Sequence, residues 1–267
     1  RGQLRDLLAD RMFEMLSNSG QQRITFANNE IYGAIYSGGA LREESKLADT
    51  MTGLANALPI IRLMGAAFGN IMLPSKLSVT HIMPCAQETQ EILASTREIF
   101  GPEFLPAATD WPKARDLIFN DGPLTRKDDS RDPARQRFAD PGSTPEGEEK
   151  QRQQMIYYVE CIPPGTWLLH QLYTKYPLDE LELGCLFDGL TAWLASPSLG
   201  GRSAAGYGQV RPYIRGKINE VTKWSEQAWP PVVNDAIAKY RQSLVDNKST
   251  LLAAMQAQQS EDSDGKK

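Results

Sequence analysis

The sequence predicts an α+β fold. Stretches with apolar residues at helical spacing alternate with short β-rich runs, and glycine- and proline-rich punctuation separates them. No run approaches the about 18 uninterrupted apolar residues of a membrane span. At 267 residues the chain can bury a sizeable core, as one large domain or a domain with insertions.

Residues 2–17 are predicted as the first helix: Leu4, Leu7, Leu8, Met12, Met15 and Leu16 recur at helical spacing, and Asn18-Ser19-Gly20 ends them. Residues 21–45, with Gly33, Gly38 and Gly39, read as loops with a short strand. Residues 46–68 read as helix interrupted at Pro59, with Gly65 and Gly69 as packing or capping glycines. Residues 75–83 alternate as a strand ended by Pro84. From about residue 88 to 154 the composition changes. A helix pattern over 90–100 gives way to Pro-, Asp- and Arg-rich runs at 122–133 and 140–147. With few large apolar residues, this stretch reads as an excursion without a core of its own. Strand pattern returns at 155–162, the turn Pro163-Pro164-Gly165 follows, and 166–173 reads as a second strand, predicting a hairpin.

Residues 179–195 are predicted as a helix, with Leu183, Leu186, Phe187, Leu190, Trp193 and Leu194 on one face. A glycine-rich segment and a strand over 208–215 come next. Pro230-Pro231 opens a C-terminal helix striped by Val233, Ile237, Tyr240 and Leu244. Ser249 or Thr250 reads as the cap of a last helix, and 260–267 as a frayed tail. Strand–strand–helix–glycine loop–strand is half of a ferredoxin-like or RRM-like unit.

A net charge of −4 argues against nucleic-acid binding by the whole surface, so any such site is local. Cys85, Cys161 and Cys185 are far apart, and with only His81 and His170 beside them no zinc signature forms. The sparse, odd cysteine count and the absence of a visible signal peptide suit the cytoplasm. The chain opens on Arg1-Gly2 without Met, as if a preceding strand were missing. No H-E-x-x-H, G-x-S-x-G or paired-carboxylate motif is present, and Asp128, Asp129 and Asp132 lack the glycine and terminal Glu of a calcium loop. The expectation is a chain without catalytic residues, metal or cofactor. Tyr157, Tyr158, Trp167 and Tyr173 fall in strand patterns; such aromatics stack bases in RRM-type sheets, although core packing is their commoner role.

The segment Leu199-Gly200-Gly201-Arg202-Ser203-Ala204-Ala205-Gly206-Tyr207-Gly208-Gln209-Val210 is the most informative. Its four glycines fall within nine residues, and 196–217 holds Arg202, Arg211, Arg215 and Lys217 with no acid. Gly201 and Gly206 have P-loop spacing, but Tyr207-Gly208 stands where Lys and Ser/Thr are needed. A dinucleotide fingerprint needs strand before helix, and here the order is reversed. Two readings remain: a polyanion, with RNA favoured, held by backbone amides and arginine, or a helix-to-strand connection without a ligand.

Three motifs resemble the RAMP superfamily of CRISPR RNA-guided complexes, specifically its backbone subunit. Arg1-Gly2-Gln3-Leu4-Arg5-Asp6-Leu7-Leu8 looks like the family's first helix. Leu63-Met64-Gly65-Ala66-Ala67-Phe68-Gly69 with the strand around 77–83 looks like its second segment. Asp188-Gly189-Leu190, Leu199-Gly200-Gly201 and Gly206-Tyr207-Gly208-Gln209-Val210 look like its ending. The resemblance implies a ferredoxin-like palm (1–87 and 155–218), an inserted thumb (88–154) and a C-terminal helical extension (219–267). It also implies a guide RNA held at the first helix and the glycine loop: Arg1, Gln3 and Arg5 on phosphates, Gly200, Gly201, Arg202, Ser203 and Ala204 wrapping the backbone, Tyr207 stacking. Arg126, Lys127 and Arg131 become thumb contacts. The implied partners are CRISPR guide RNA, target nucleic acid with DNA favoured, copies of the chain in a filament, other effector subunits and a helicase. The extra regions 21–58 and 231–259 favour type IV over type III. The family's first strand and the loop after it, which carries a target-cleaving aspartate in type III relatives, have no counterpart here. The alternative within the same superfamily is an endoribonuclease that processes guide precursors, with His81 as its acid/base.

Overall fold

The computed structural model describes residues 2–17, 24–26, 29–41, 48–101, 105–124, 139–140, 157–200, 206–218, 222–225 and 228–256. They form an α+β chain in two compact units. The first comprises Arg1–Leu77, Asp129–Gly147 and Thr174–Lys267; the second comprises Ser78–Asp128 and Glu148–Tyr173.

The first unit is built around α6 (Glu180–Ala195). Asp179 starts it with a capping box: its carboxylate accepts from the Glu182 N–H at 2.8 Å, and Glu182 Oε2 accepts from the Asp179 N–H at 2.9 Å. Every residue from Gly184 to Gly189 is buried, so α6 is a central helix enclosed on more than one side. It packs against α1 (Gly2–Leu16) and α7 (Pro231–Asp246). Pro231 sits in the first turn of α7, where its missing N–H costs nothing. The predicted stripe Val233, Ile237, Tyr240 and Leu244 is buried, joined by Ala236. The α6–α7 crossing depends on Gly184, where a Cβ would lie 2.2 Å from the Ala236 carbonyl oxygen. At Gly189 a Cβ would come nearest to Leu8, with Cδ2 at 2.2 Å.

Two acids of α6 are fully buried and satisfied by cations from other elements. Asp188 accepts from Arg11 Nε at 3.1 Å and from Arg241 Nε at 2.8 Å, tying α1 and α7 to α6. Glu182 accepts from Arg62 Nε and Lys76 Nζ, each at 2.8 Å. The Asp188-Gly189-Leu190 motif therefore has a structural account: a buried charge link and a close helix approach.

Where the sequence reads as loops, residues Asn29–Tyr36 form α2. Eight residues with Gly33 inside are too short for periodicity to register, and tertiary packing supplies the stability. Phe13 stacks on Tyr36 at 5.8 Å and meets Phe26 edge-on at 5.4 Å, and Tyr32 lies 4.7 Å from Tyr36. The predicted helix over 46–68 resolves into α3 (Ala48–Ala57), α4 (Pro59–Met64) and strand β2 (Ala66–Phe68), which pairs antiparallel with β3 (Ile71–Leu73). Gly69 lies in that hairpin turn at φ 51°. The last helix, α8 (Lys248–Gln256), begins before Ser249 and Thr250, which lie within it.

The second unit corrects the expectation of a coreless excursion. Cys85, Leu93, Leu105, Trp111 and Leu169 form its own buried cluster, with Met83 packed against them. Helix α5 (Gln90–Phe100) forms where the pattern over 90–100 predicts a helix, and it supplies Leu93. The core escapes a composition reading because its members are drawn from separate segments, two of them outside 88–154. The predicted 155–173 hairpin does not form. Strand β8 (Tyr157–Cys161) pairs with β6 (Phe119–Leu124), while β9 (Leu168–Leu169) pairs with β5 (Met83–Pro84). Alternation identifies a strand but not its partner. Among the described residues the strands join two by two into six ladders, and no single ferredoxin-like sheet is formed.

Candidate nucleic-acid interface

The glycine segment leaves α6 at Ser196 and closes on itself. The Leu199 N–H donates to the Gly208 carbonyl at 2.8 Å, the Val210 N–H donates to the Pro197 carbonyl at 3.2 Å, and Ser198 bridges Gln209 antiparallel. Gly208 makes that closure possible: its φ is 70°, and a Cβ would lie 1.9 Å from the Leu199 carbonyl oxygen. Among the described residues, the predicted 208–215 strand holds a single bridge, Ser198–Gln209, ahead of Arg215. Pro212 has no N–H to donate, and regular pairing begins at β11 (Arg215–Ile218), opposite β12 (Thr222–Ser225).

Gln3 connects this loop to the start of α1. Its Nε2 donates to the Ser198 carbonyl at 3.0 Å, and its Oε1 accepts from the Gly200 N–H at 3.3 Å. Trp193 Nε1 donates to the same Ser198 carbonyl at 2.9 Å. The first turn of α1, which carries no acid and whose leading N–H groups have no intrahelical partner, is thus fastened to the glycine segment at Ser198 and Gly200.

The predicted site residues divide. Gln3 and Gly200 come together as described, with Gly200 at φ 79° and open space where a Cβ would stand. Tyr207 is half-buried at the loop's closing turn. Gly201, Arg202, Ser203 and Ala204 lie outside the described residues, as do Arg1, Arg126, Lys127 and Arg131. Arg5 is a correction. Only 7% exposed, its guanidinium donates to the carbonyls of Ala34 (3.1 Å), Ile35 (3.4 Å), Met64 (2.8 Å) and Gly65 (2.7 Å). These are acceptors left over at the ends of α2 and α4, where a cation also meets two negative dipole ends. Arg5 is a structural tie with no reach to a phosphate.

The sequence groups Arg211 and Lys217 in a basic island without assigning them a role. Both are exposed, and the Arg211 guanidinium sits 5.6 Å from the centre of the Tyr213 ring. The lack of any acid over 196–217 is the signal that points to them. The strand aromatics also differ from expectation: Tyr158, Trp167 and Tyr173 are 69%, 42% and 52% exposed rather than core.

Burial pushes the Cys185 thiol up to about 12, which removes it as a nucleophile at neutral pH. His81 is exposed, and no described carboxylate or hydroxyl pairs with its imidazole. Among the described residues no cluster of three His, Cys, Asp or Glu could hold a metal ion, and no helix is long and apolar enough to cross a membrane.

No protein-family profile and no curated protein matches the chain. Among solved structures it is similar to a chain of a "Type IV-B CRISPR Complex", with 17% identity, 82% of this chain and 75% of that chain covered, and a TM-score of 0.38. A likeness this distant leaves the functional reading to rest on the residues themselves.

Proposed function

We propose that this chain is a non-catalytic subunit that holds a guide RNA by its backbone within a CRISPR RNA-guided complex, serving as the repeated backbone subunit, with type IV favoured. The observation that carries the reading is the Gln3 clamp. It fastens the N-terminal turn of α1 to the glycine loop, the two elements to which the family resemblance assigns guide phosphates. A positive helix end suits an anionic backbone without reading its sequence. The partners in this reading are the guide, a target strand with DNA favoured, further copies of the chain, and other effector subunits with a helicase.

Gln3→Glu tests it. The variant keeps an acceptor for the Gly200 N–H but removes the donor to Ser198 and places a negative charge at the α1 end. Single-stranded RNA binding should fall on the order of tenfold at low salt. Arg202→Ala should weaken binding about equally for every RNA sequence and lower the salt slope by about 0.7. Wild-type affinity and slope in both variants would remove the glycine loop from the interface. The endoribonuclease reading predicts instead that repeat RNA is cleaved and that His81→Ala stops the cleavage.

A further inference from the structure

Beyond the loop, the chain runs Arg211, Tyr213, Arg215, Lys217 at every second position. Side chains two apart along an extended strand share a face. Within β11 this places Arg215 and Lys217 together, while Gly216 and Ile218 take the other side. Ahead of β11, the Arg211 guanidinium lies 5.6 Å from the centre of the Tyr213 ring, so these two side chains lie together. The ladder register pairs Arg215 with Ser225 and Lys217 with Lys223 along the backbone. Among the described residues neither Arg211 nor Lys217 has a carboxylate partner.

We propose that the exposed cations Arg211 and Lys217, with Tyr213 and Arg215 between them, form a second binding surface for single-stranded RNA. Alternate strand residues stand about 6.6 Å apart, a spacing suited to successive phosphates of an extended strand, and Tyr213 offers an aromatic surface for a base. Interleaved cations and aromatics are the usual composition of single-strand grooves. The surface follows the glycine loop in the chain, so an RNA leaving that loop can continue onto it. The inference rests on the proposed function for the identity of the strand as RNA.

The test is fluorescence anisotropy of a labelled uridine-rich RNA across a salt series. It is paired with ultraviolet crosslinking of the unsubstituted chain and mass identification of the crosslinked peptide. In the Arg211→Gln/Lys217→Gln variant the salt slope should drop by about 1.4, roughly 0.7 for each phosphate that is no longer neutralised. Tyr213→Ala should cost roughly tenfold in affinity with the slope unchanged, and Tyr213→Phe should restore it. The crosslinked peptide should contain residues 211–217. A wild-type slope in the double variant, or crosslinks that avoid 211–217, overturns the proposal; if Gln3→Glu still weakens binding, the proposed function survives that result. A reduced slope in the double variant with no effect of Gln3→Glu or Arg202→Ala supports the stripe and discards the loop. A chain that binds no RNA but binds a polyacidic peptide through Arg211 and Lys217 overturns both readings.

Discussion

Arg5 and Arg211 carry the same cation into opposite surroundings. Arg5 lies in the interior of the first unit, with its donors taken by carbonyls at the ends of two helices. Arg211 is exposed, with a tyrosine ring as its neighbour. The same contrast separates the whole neighbourhoods. Around α6 the charges close on one another: Arg11 and Arg241 on Asp188, Arg62 and Lys76 on Glu182. Over 196–217 there are four cations and no acid. Stability is concentrated in the first neighbourhood, and the capacity to attract an anion in the second.

The largest expected effect tests that division. Arg5→Met should destabilise the first unit by about 3 kcal/mol or more, because several buried carbonyls lose their donor at once. Lys217→Gln should leave the melting temperature unchanged or slightly raised while lowering the RNA salt slope. If thermal melting shows the reverse ranking, the division between structural and functional cations is wrong.

The second effect separates backbone from side-chain packing at α6. Gly184→Ala drives a methyl into the Ala236 carbonyl and should cost about 2–3 kcal/mol. Gly189→Ala meets the flexible end of Leu8 and should cost roughly 1 kcal/mol. Equal destabilisation in denaturant titration would contradict the tight α6–α7 crossing.

The third concerns pH. Burial pushes the Glu182 carboxyl up, but hydrogen bonds from Lys76, the Asp179 N–H and Arg62 outweigh it and hold it below the usual glutamate range. Its contribution is therefore present at neutral pH and disappears as the pH falls through that lowered value. Glu182→Gln should flatten the acid limb of the stability profile.

The fourth has the opposite sign. Burial raises the Asp10 carboxyl to about 6, against a lowering by the Tyr36 hydroxyl that donates to it at 2.9 Å, with the Asp6 charge adding to the rise. A raised acid costs stability once ionised, so Asp10→Asn should stabilise the chain above about pH 6. The gain should fade as the pH falls toward the ordinary aspartate value. A gain independent of pH would point to packing instead.

Helix α6 was legible because its apolar residues are dense and fall on one face. Helix α7 was legible from its proline start and its four-residue stripe. Helix α2 was not, since its burial comes from Phe13 and Phe26 elsewhere in the chain. The strands over 155–173 were recognisable as strands, but their partners β5 and β6 are set by tertiary packing that no local pattern encodes. At the candidate site, the glycine loop stood out in the sequence through its spacing. The Gln3 clamp spans almost two hundred residues, and nothing in the motif around Arg5 distinguishes a phosphate ligand from a buried tie.

In the proposed function this chain holds a guide strand along its backbone. The most direct measurement is to purify the protein from its native operon at moderate salt and sequence the nucleic acid that accompanies it. Repeat-spacer RNA protected at a fixed nucleotide interval is the expected result. Protein free of RNA under those conditions would contradict it and leave the glycine loop as a closed structural turn.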